Sequence, residues 1–66
     1  MLDLYYSNSK TDVNISAFET SGDFPYTIKM TIEGATIKEN TFKTQKEALR
    51  DFMWLVLNNI LIEEQI

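Results

Sequence analysis

The chain has 66 residues, ten of them acidic and six basic, which gives a formal net charge of −4. A chain of this length forms one domain, here residues 1–66, and buries only about 60% of its unfolded surface. It contains no cysteine and no histidine, so disulfides, thiolate metal sites, a cysteine nucleophile and the usual neutral-pH base are excluded. Because such small domains usually need a disulfide, a metal or a second chain, the composition favours an oligomer.

The charge balance and the apolar segments narrow the class of protein further. An excess of acidic residues makes nucleic acid an unlikely partner, since phosphate-binding proteins usually carry a basic excess. The N-terminal segment 1–10 has neither a basic region nor a long apolar run, so it does not read as a signal peptide. The apolar run 52–62 has 11 residues and contains Asn58 and Asn59, whereas a membrane span needs about 20. We therefore expect a cytoplasmic protein that does not enter a membrane.

The first half of the chain has the composition of short strands separated by polar turns. Residues 2–6 alternate imperfectly, which fits a short strand or a frayed terminus, and the polar residues 7–12 form a loop. Residues 13–20 predict a second strand with Val13, Ile15 and Ala17 on one face. Phe18 lies on the other, polar face, where it either packs around an edge or belongs to a binding surface.

The clearest strand covers residues 26–33, in which apolar and polar side chains alternate without a break. This alternation indicates a sheet with one buried and one solvated face. Glu33 and Gly34 then predict a two-residue hairpin turn into a strand at 35–42. The register of this hairpin pairs two sets of residues on the buried face: Ile32 with Ala35, and Met30 with Ile37. The solvated face consists of Thr27, Lys29, Thr31, Thr36 and Lys38.

The C-terminal third predicts one long helix. Thr44 and Glu47 have the spacing of a capping box, in which hydroxyl and carboxylate each satisfy a backbone donor. Helix-favouring residues continue to about residue 62, and we expect fraying over 63–65. The predicted fold is α+β: an antiparallel three- to four-stranded meander (about 2–6, 13–20, 26–33 and 35–42) followed by one long C-terminal helix (about 44–62) packed on one face of the sheet.

This helix carries more apolar surface than one sheet can cover. At about 100° per residue, a core-facing stripe consists of Leu49, Phe52, Met53, Val56 and Ile60, flanked by Leu55 and Ile62. A second apolar arc consists of Trp54, Leu57 and Leu61, beside Arg50. The polar strip consists of Glu47, Asp51 and Asn58. Exposure of the second arc to water is costly. We therefore expect the arc to contact another chain or another part of this chain.

Three interpretations of this second arc remain. We favour a homodimer in which Trp54, Leu57 and Leu61 meet their symmetry mates. The arc could instead dock a different protein, since Trp54 with Arg50 nearby has the composition of an interface hot spot. In the third interpretation the N-terminal segment, residues 2–6, folds over the arc and closes a monomeric core. Additional contacts are expected on the sheet face, from Phe18, Lys29, Thr31 and Lys38.

The sequence contains none of the common catalytic motifs. The only glycines are Gly22 and Gly34, so there is no glycine-rich phosphate loop, and without histidine no serine–histidine–carboxylate triad is possible. We expect no catalytic residues, no cofactor and no metal site. The chain is predicted not to be an enzyme.

The segment 26–55 resembles the AP2-type and integrase amino-terminal DNA-binding domains, in which a three-stranded sheet is followed by a helix. The resemblance depends on Phe42, Thr44, Glu47 and Ala48, where a strand leads into a capped helix. Those families read DNA with arginine and tryptophan on the solvated sheet face. The resemblance implies a DNA-binding or transcription-regulating module that would use the lysines 29, 38, 43 and 46.

The chain is a small acidic domain rich in Lys, Asn, Ile and Thr, with no catalytic residues expected. In these features it resembles small accessory proteins of bacteriophages, which often inhibit host enzymes or defence systems by binding them. This resemblance implies an inhibitor that works without chemistry of its own. Our leading hypothesis is a non-catalytic, homodimeric protein-binding module of this kind. The alternative is the small DNA-binding module that uses the Lys29 and Lys38 sheet face.

Overall fold

In a computed structural model that describes residues 1–64, four strands precede one helix. The strands β1 (Asp3–Asn8), β2 (Val13–Glu19), β3 (Tyr26–Ile32) and β4 (Ala35–Phe42) form one antiparallel sheet in the order β1-β2-β3-β4. The helix α1 (Gln45–Glu64) lies on one face of this sheet and packs against β2, β3 and β4. The predicted α+β meander with a C-terminal helix is therefore confirmed, with four strands.

The N-terminal segment is a strand at the edge of the sheet. β1 pairs with β2 over its whole length, from Asp3 opposite Phe18 to Asn8 opposite Val13. It does not fold over the helix, so the third interpretation of the second arc is wrong. At the other end of the chain, α1 continues two residues beyond the predicted end, through Glu64. Gln65, which belongs to the segment predicted to fray, lies outside the described residues.

The turn between β3 and β4 follows the prediction. Glu33 has a φ of 52° and Gly34 a φ of 83°, and a type I′ hairpin turn needs positive φ at both positions. Ile32 pairs with Ala35 across this turn, as predicted, although Ala35 is exposed.

A β-bulge then changes the register of β4. The register shifts between Met30 and Thr31, so that Met30 pairs with Lys38 and not with Ile37. Because successive side chains of a strand point to opposite faces, a shift of one residue exchanges the two faces of the segment that follows. Lys38 therefore lies on the helix side of the sheet and Ile37 is 58% exposed. The predictions of a buried Ile37 and a solvated sheet face containing Lys38 are wrong. Thr27, also predicted to be solvated, is buried.

The core lies between the middle of the sheet and the inner face of α1. Ile15 and Ile28 are its largest fully buried side chains, and α1 contributes Ala48 and Leu55. Leu49, Phe52 and Val56 of the predicted core stripe are half-buried against this core.

Two members of that stripe lie elsewhere. Met53 is 61% exposed and Ile60 is 37% exposed, so their assignment to the core is wrong, whereas Leu55, predicted to flank it, is buried. The inner face of α1 is centred on Ala48, Leu55 and Asn59. Since apolar residues occur almost all round the helix, periodicity alone does not define which side meets the sheet.

Candidate interaction surface

The side of α1 opposite the sheet carries a continuous apolar surface, here called the outer strip. Its members are five large side chains with exposed fractions between 37% and 61%: Met53, Trp54, Leu57, Ile60 and Leu61. The spacing i, i+1, i+4, i+7, i+8 places them on one face of a helix. Leu57 follows buried Leu55 by two positions, a rotation of about 200°, so the outer strip points away from the core.

Each end of the outer strip is marked by charge. Arg50 stands one turn before Met53 and Trp54, and Glu64 stands one turn after Ile60 and Leu61. Both side chains are exposed. Within residues 1–64, neither takes part in a salt bridge. The apolar surface is thus bounded by a positive group toward the start of the helix and a negative group at its end.

The structure brings together the predicted contact residues Arg50, Trp54, Leu57 and Leu61 on this exposed face. It also adds Met53 and Ile60, which sequence periodicity had assigned to the core. The signal that identifies them lies elsewhere in the helix: small Ala48 and polar Asn59 occupy inward positions. When a small and a polar residue face the core, larger apolar residues are left on the outside.

Trp54 is the member of the outer strip that lies next to the edge strand β4. Lys38 Nζ lies 5.9 Å from the centroid of the Trp54 ring and 3.7 Å from Asp51 Oδ1. A cation near an aromatic face is attracted to it within about 6 Å, so Lys38 holds the indole from the sheet side. Asp51 Oδ2 is buried and has no hydrogen-bond partner among the described residues.

A second group of polar side chains is buried at the other end of the helix. Asn59 Oδ1 accepts hydrogen bonds from Tyr6 Oη at 3.0 Å and from Asn8 Nδ2 at 3.0 Å. Asn8 Nδ2 also donates to Glu63, and Lys10 Nζ lies 3.3 Å from Glu63 Oε1. These contacts anchor the helix to β1 and to Lys10 in the turn that follows it.

The sheet face away from the helix is uncovered and mostly polar. Phe18 lies on it opposite Thr27, and Lys29 and Thr31 lie on the same face of β3. All the predicted sheet-face contacts except Lys38 therefore share this surface. Phe18, Lys29 and Thr31 are each half-buried, so they form a shallow, closely packed surface.

Within residues 1–64, no three carboxylate side chains come together in a way that could hold a metal ion. The helix within residues 1–64 does not combine the length and the apolar character that a bilayer crossing needs.

No family model matches the sequence, and comparisons with curated proteins and with solved structures find no significant match.

Proposed function

We propose that this chain is a non-catalytic protein-binding module that forms a homodimer through the outer strip of α1. The single observation that carries this proposal is the exposure of Met53, Trp54, Leu57 and Leu61, each more than half exposed, on one face of one helix. Full burial of such a side chain is favourable by about 1.5–3 kcal/mol. Large exposed apolar patches on small proteins mark interaction sites.

A dimer formed through α1 leaves a second surface available. Because α1 covers one face of the sheet, two chains joined by their helices would form four layers in the order sheet, helix, helix, sheet. The uncovered sheet faces, with Phe18, Lys29 and Thr31, would then point outward on both sides. We propose that a different protein binds there. Inhibition of that protein, as by the bacteriophage accessory proteins that the chain resembles, is an activity that needs no catalytic residue.

The alternative of a DNA-binding module has less support. It relied on Lys29 and Lys38 lying together on the solvated sheet face. Lys38 lies instead on the helix side beside Asp51, which leaves Lys29 opposite Glu39. A face with one lysine next to a carboxylate neutralises few phosphates. A gel shift with random duplex DNA at low salt is expected to show no complex.

The dimer is tested by light scattering at micromolar concentration. We expect about twice the chain mass of 7.7 kDa, and Trp54→Glu should return the mass to that of a monomer, because it removes a large apolar side chain and places a charge in an apolar contact. Phe24→Glu is the matched control, since Phe24 is 49% exposed but lies outside α1. A monomeric wild-type chain would contradict the proposal.

Binding of another protein is tested with the purified dimer as bait, followed by titration of each captured protein in purified form. Lys29→Glu on the sheet face should weaken binding of the true target and leave the dimer mass unchanged. A target that loses binding only with Trp54→Glu would place the binding site on the outer strip and contradict the assignment to the sheet face.

A further inference from the structure

We propose that the second copy docks antiparallel, around a two-fold axis beside Leu57, so that Arg50 of each protomer meets Glu64 of the other. This inference rests on the proposed homodimer and adds the orientation of its two helices. It follows from the order of charges and apolar groups along the exposed face of α1.

Arg50, Leu57 and Glu64 lie on one line of the helix, because an interval of seven residues is close to two turns. Arg50 and Glu64 are each seven positions from Leu57, or about 10 Å along the axis. A two-fold axis perpendicular to the helix and beside Leu57 brings position 57−n of one chain level with position 57+n of the other. Arg50 of one protomer is then level with Glu64 of its partner.

The same symmetry operation matches the apolar residues. It brings Met53 and Trp54 of one protomer level with Ile60 and Leu61 of the other, and Leu57 beside its own symmetry mate. No charged residue falls inside the outer strip between Met53 and Leu61. The strip can therefore meet itself as an apolar contact with an ion pair at each end, the usual arrangement of an apolar interface core and a polar rim.

Charge complementarity selects this orientation over the parallel one. In a parallel pair, Arg50 would lie against Arg50 and Glu64 against Glu64, and like charges in contact oppose association. Both side chains are exposed, and within residues 1–64 neither has a salt-bridge partner in its own chain. The antiparallel arrangement gives each side chain one opposite charge on the partner protomer, so the dimer contains two Arg50–Glu64 pairs, one on either side of the axis.

The chain has no cysteine, so a single introduced thiol reports its position without interference. We expect an equimolar mixture of Arg50→Cys and Glu64→Cys chains, one carrying a mass tag, to form cross-linked heterodimers with a short bis-maleimide. Arg50→Cys alone should not cross-link, because the two thiols would be about 21 Å apart along the helix axis. Efficient cross-linking of Arg50→Cys with itself would overturn the antiparallel orientation.

Leu57→Cys serves as the control for the contact itself, since position 57 meets its symmetry mate in either orientation. If Leu57→Cys cross-links and the Arg50→Cys and Glu64→Cys mixture does not, the proposed orientation is wrong while the homodimer remains. If no variant cross-links and light scattering of the wild-type chain gives a monomer, the homodimer fails as well.

Charge reversal gives an independent measurement on chains without introduced thiols. Arg50→Glu or Glu64→Arg should each weaken the dimer by about tenfold, because two attractive pairs become repulsive. The double variant with both changes restores opposite charges and should return the dissociation constant to within about threefold of wild type. Lys43→Glu, the same change of charge outside the outer strip, should have no effect. A double variant as weak as either single variant would overturn the pairing.

Discussion

Asn59 is a buried amide that joins α1 to the end of the sheet formed by β1 and the following turn. Its Oδ1 accepts hydrogen bonds from Tyr6 and Asn8, and its Nδ2 donates to Thr11 Oγ1 at 3.3 Å. Because each polar atom of the amide has a partner, its burial does not incur the full cost of removing the amide from water. The network also helps to define the rotation of α1, because Asn59 must face β1 to make these contacts.

We expect Asn59→Ala to lower the free energy of unfolding by about 1–3 kcal/mol, because Tyr6 loses its acceptor and buried Asn8 loses one of its acceptors. Urea unfolding at one fixed protein concentration measures this loss. Asn58→Ala is the matched control, since Asn58 Nδ2 donates to the carbonyl of Trp54 within the same helix, at 2.7 Å. Equal losses for the two variants would show that the network has no stabilising role.

At the scale of the elements, α1 begins with one of the two hydrogen bonds of the predicted capping box. The N–H of Glu47 donates to Thr44 Oγ1 at 3.3 Å, as predicted. The Glu47 carboxylate accepts from the Thr44 hydroxyl at 2.8 Å and not from the Thr44 backbone, so this half of the predicted box differs. The hydroxyl is thereby oriented with its lone pairs toward the backbone donor.

Thr44→Ala is expected to cost about 1 kcal/mol of stability, because one N–H of the first helical turn loses its acceptor. Thr44→Asp should retain most of the stability, since an aspartate caps the same donor and carries the charge that a helix N-terminus favours. Thermal unfolding followed by circular dichroism measures both. The nearby control Gln45→Ala should change stability by less than about 0.5 kcal/mol, and a similar loss there would argue against the cap.

The bulge in β4 has effects on both sides of the sheet edge. It turns Lys38 toward α1, where the ammonium meets Asp51 and the ring of Trp54. It also interrupts an edge strand, and irregular edges pair less readily with the strands of other molecules. The bulge therefore makes the β4 edge less suited to pairing with a strand of another molecule.

At the scale of the whole molecule, a small core stands beside a large exposed apolar surface. Within residues 1–64, the buried apolar side chains number seven, whereas α1 alone exposes six large ones. A 66-residue domain of this kind has little stability to spare. Burial of the outer strip in a dimer would add to the stability of each chain.

If the dimer contributes to stability, unfolding should depend on protein concentration. A tenfold rise in concentration should stabilise the dimer by about 1.4 kcal/mol, so the urea midpoint should increase over about 1 to 100 µM. Trp54→Glu should show a midpoint independent of concentration. The proposed coupling is rejected if the wild-type midpoint is also constant over this range.

Local sequence signals were sufficient for most of the fold. Alternation over residues 26–33 identified β3, the Glu33–Gly34 pair identified the hairpin turn, and Thr44 with Glu47 identified the start of the helix. These features depend on neighbouring residues, whose conformations are restricted by φ preferences and short-range hydrogen bonds. The bulge left no such signal, because either register of β4 keeps an apolar residue next to the turn.

The outer strip, too, could be predicted from the sequence only in part. The sequence by itself determined that α1 has more apolar surface than one sheet can cover, and it identified Arg50, Trp54, Leu57 and Leu61 as the excess. Only the tertiary structure decided that Met53 and Ile60 join them and that Ala48, Leu55 and Asn59 face inward. The physical reason is that a helix with apolar residues nearly all round has no preferred side of its own. The rotation of α1 is determined by contacts with residues distant in sequence. These contacts are the amide network with β1 and the Lys38–Asp51 pair with β4.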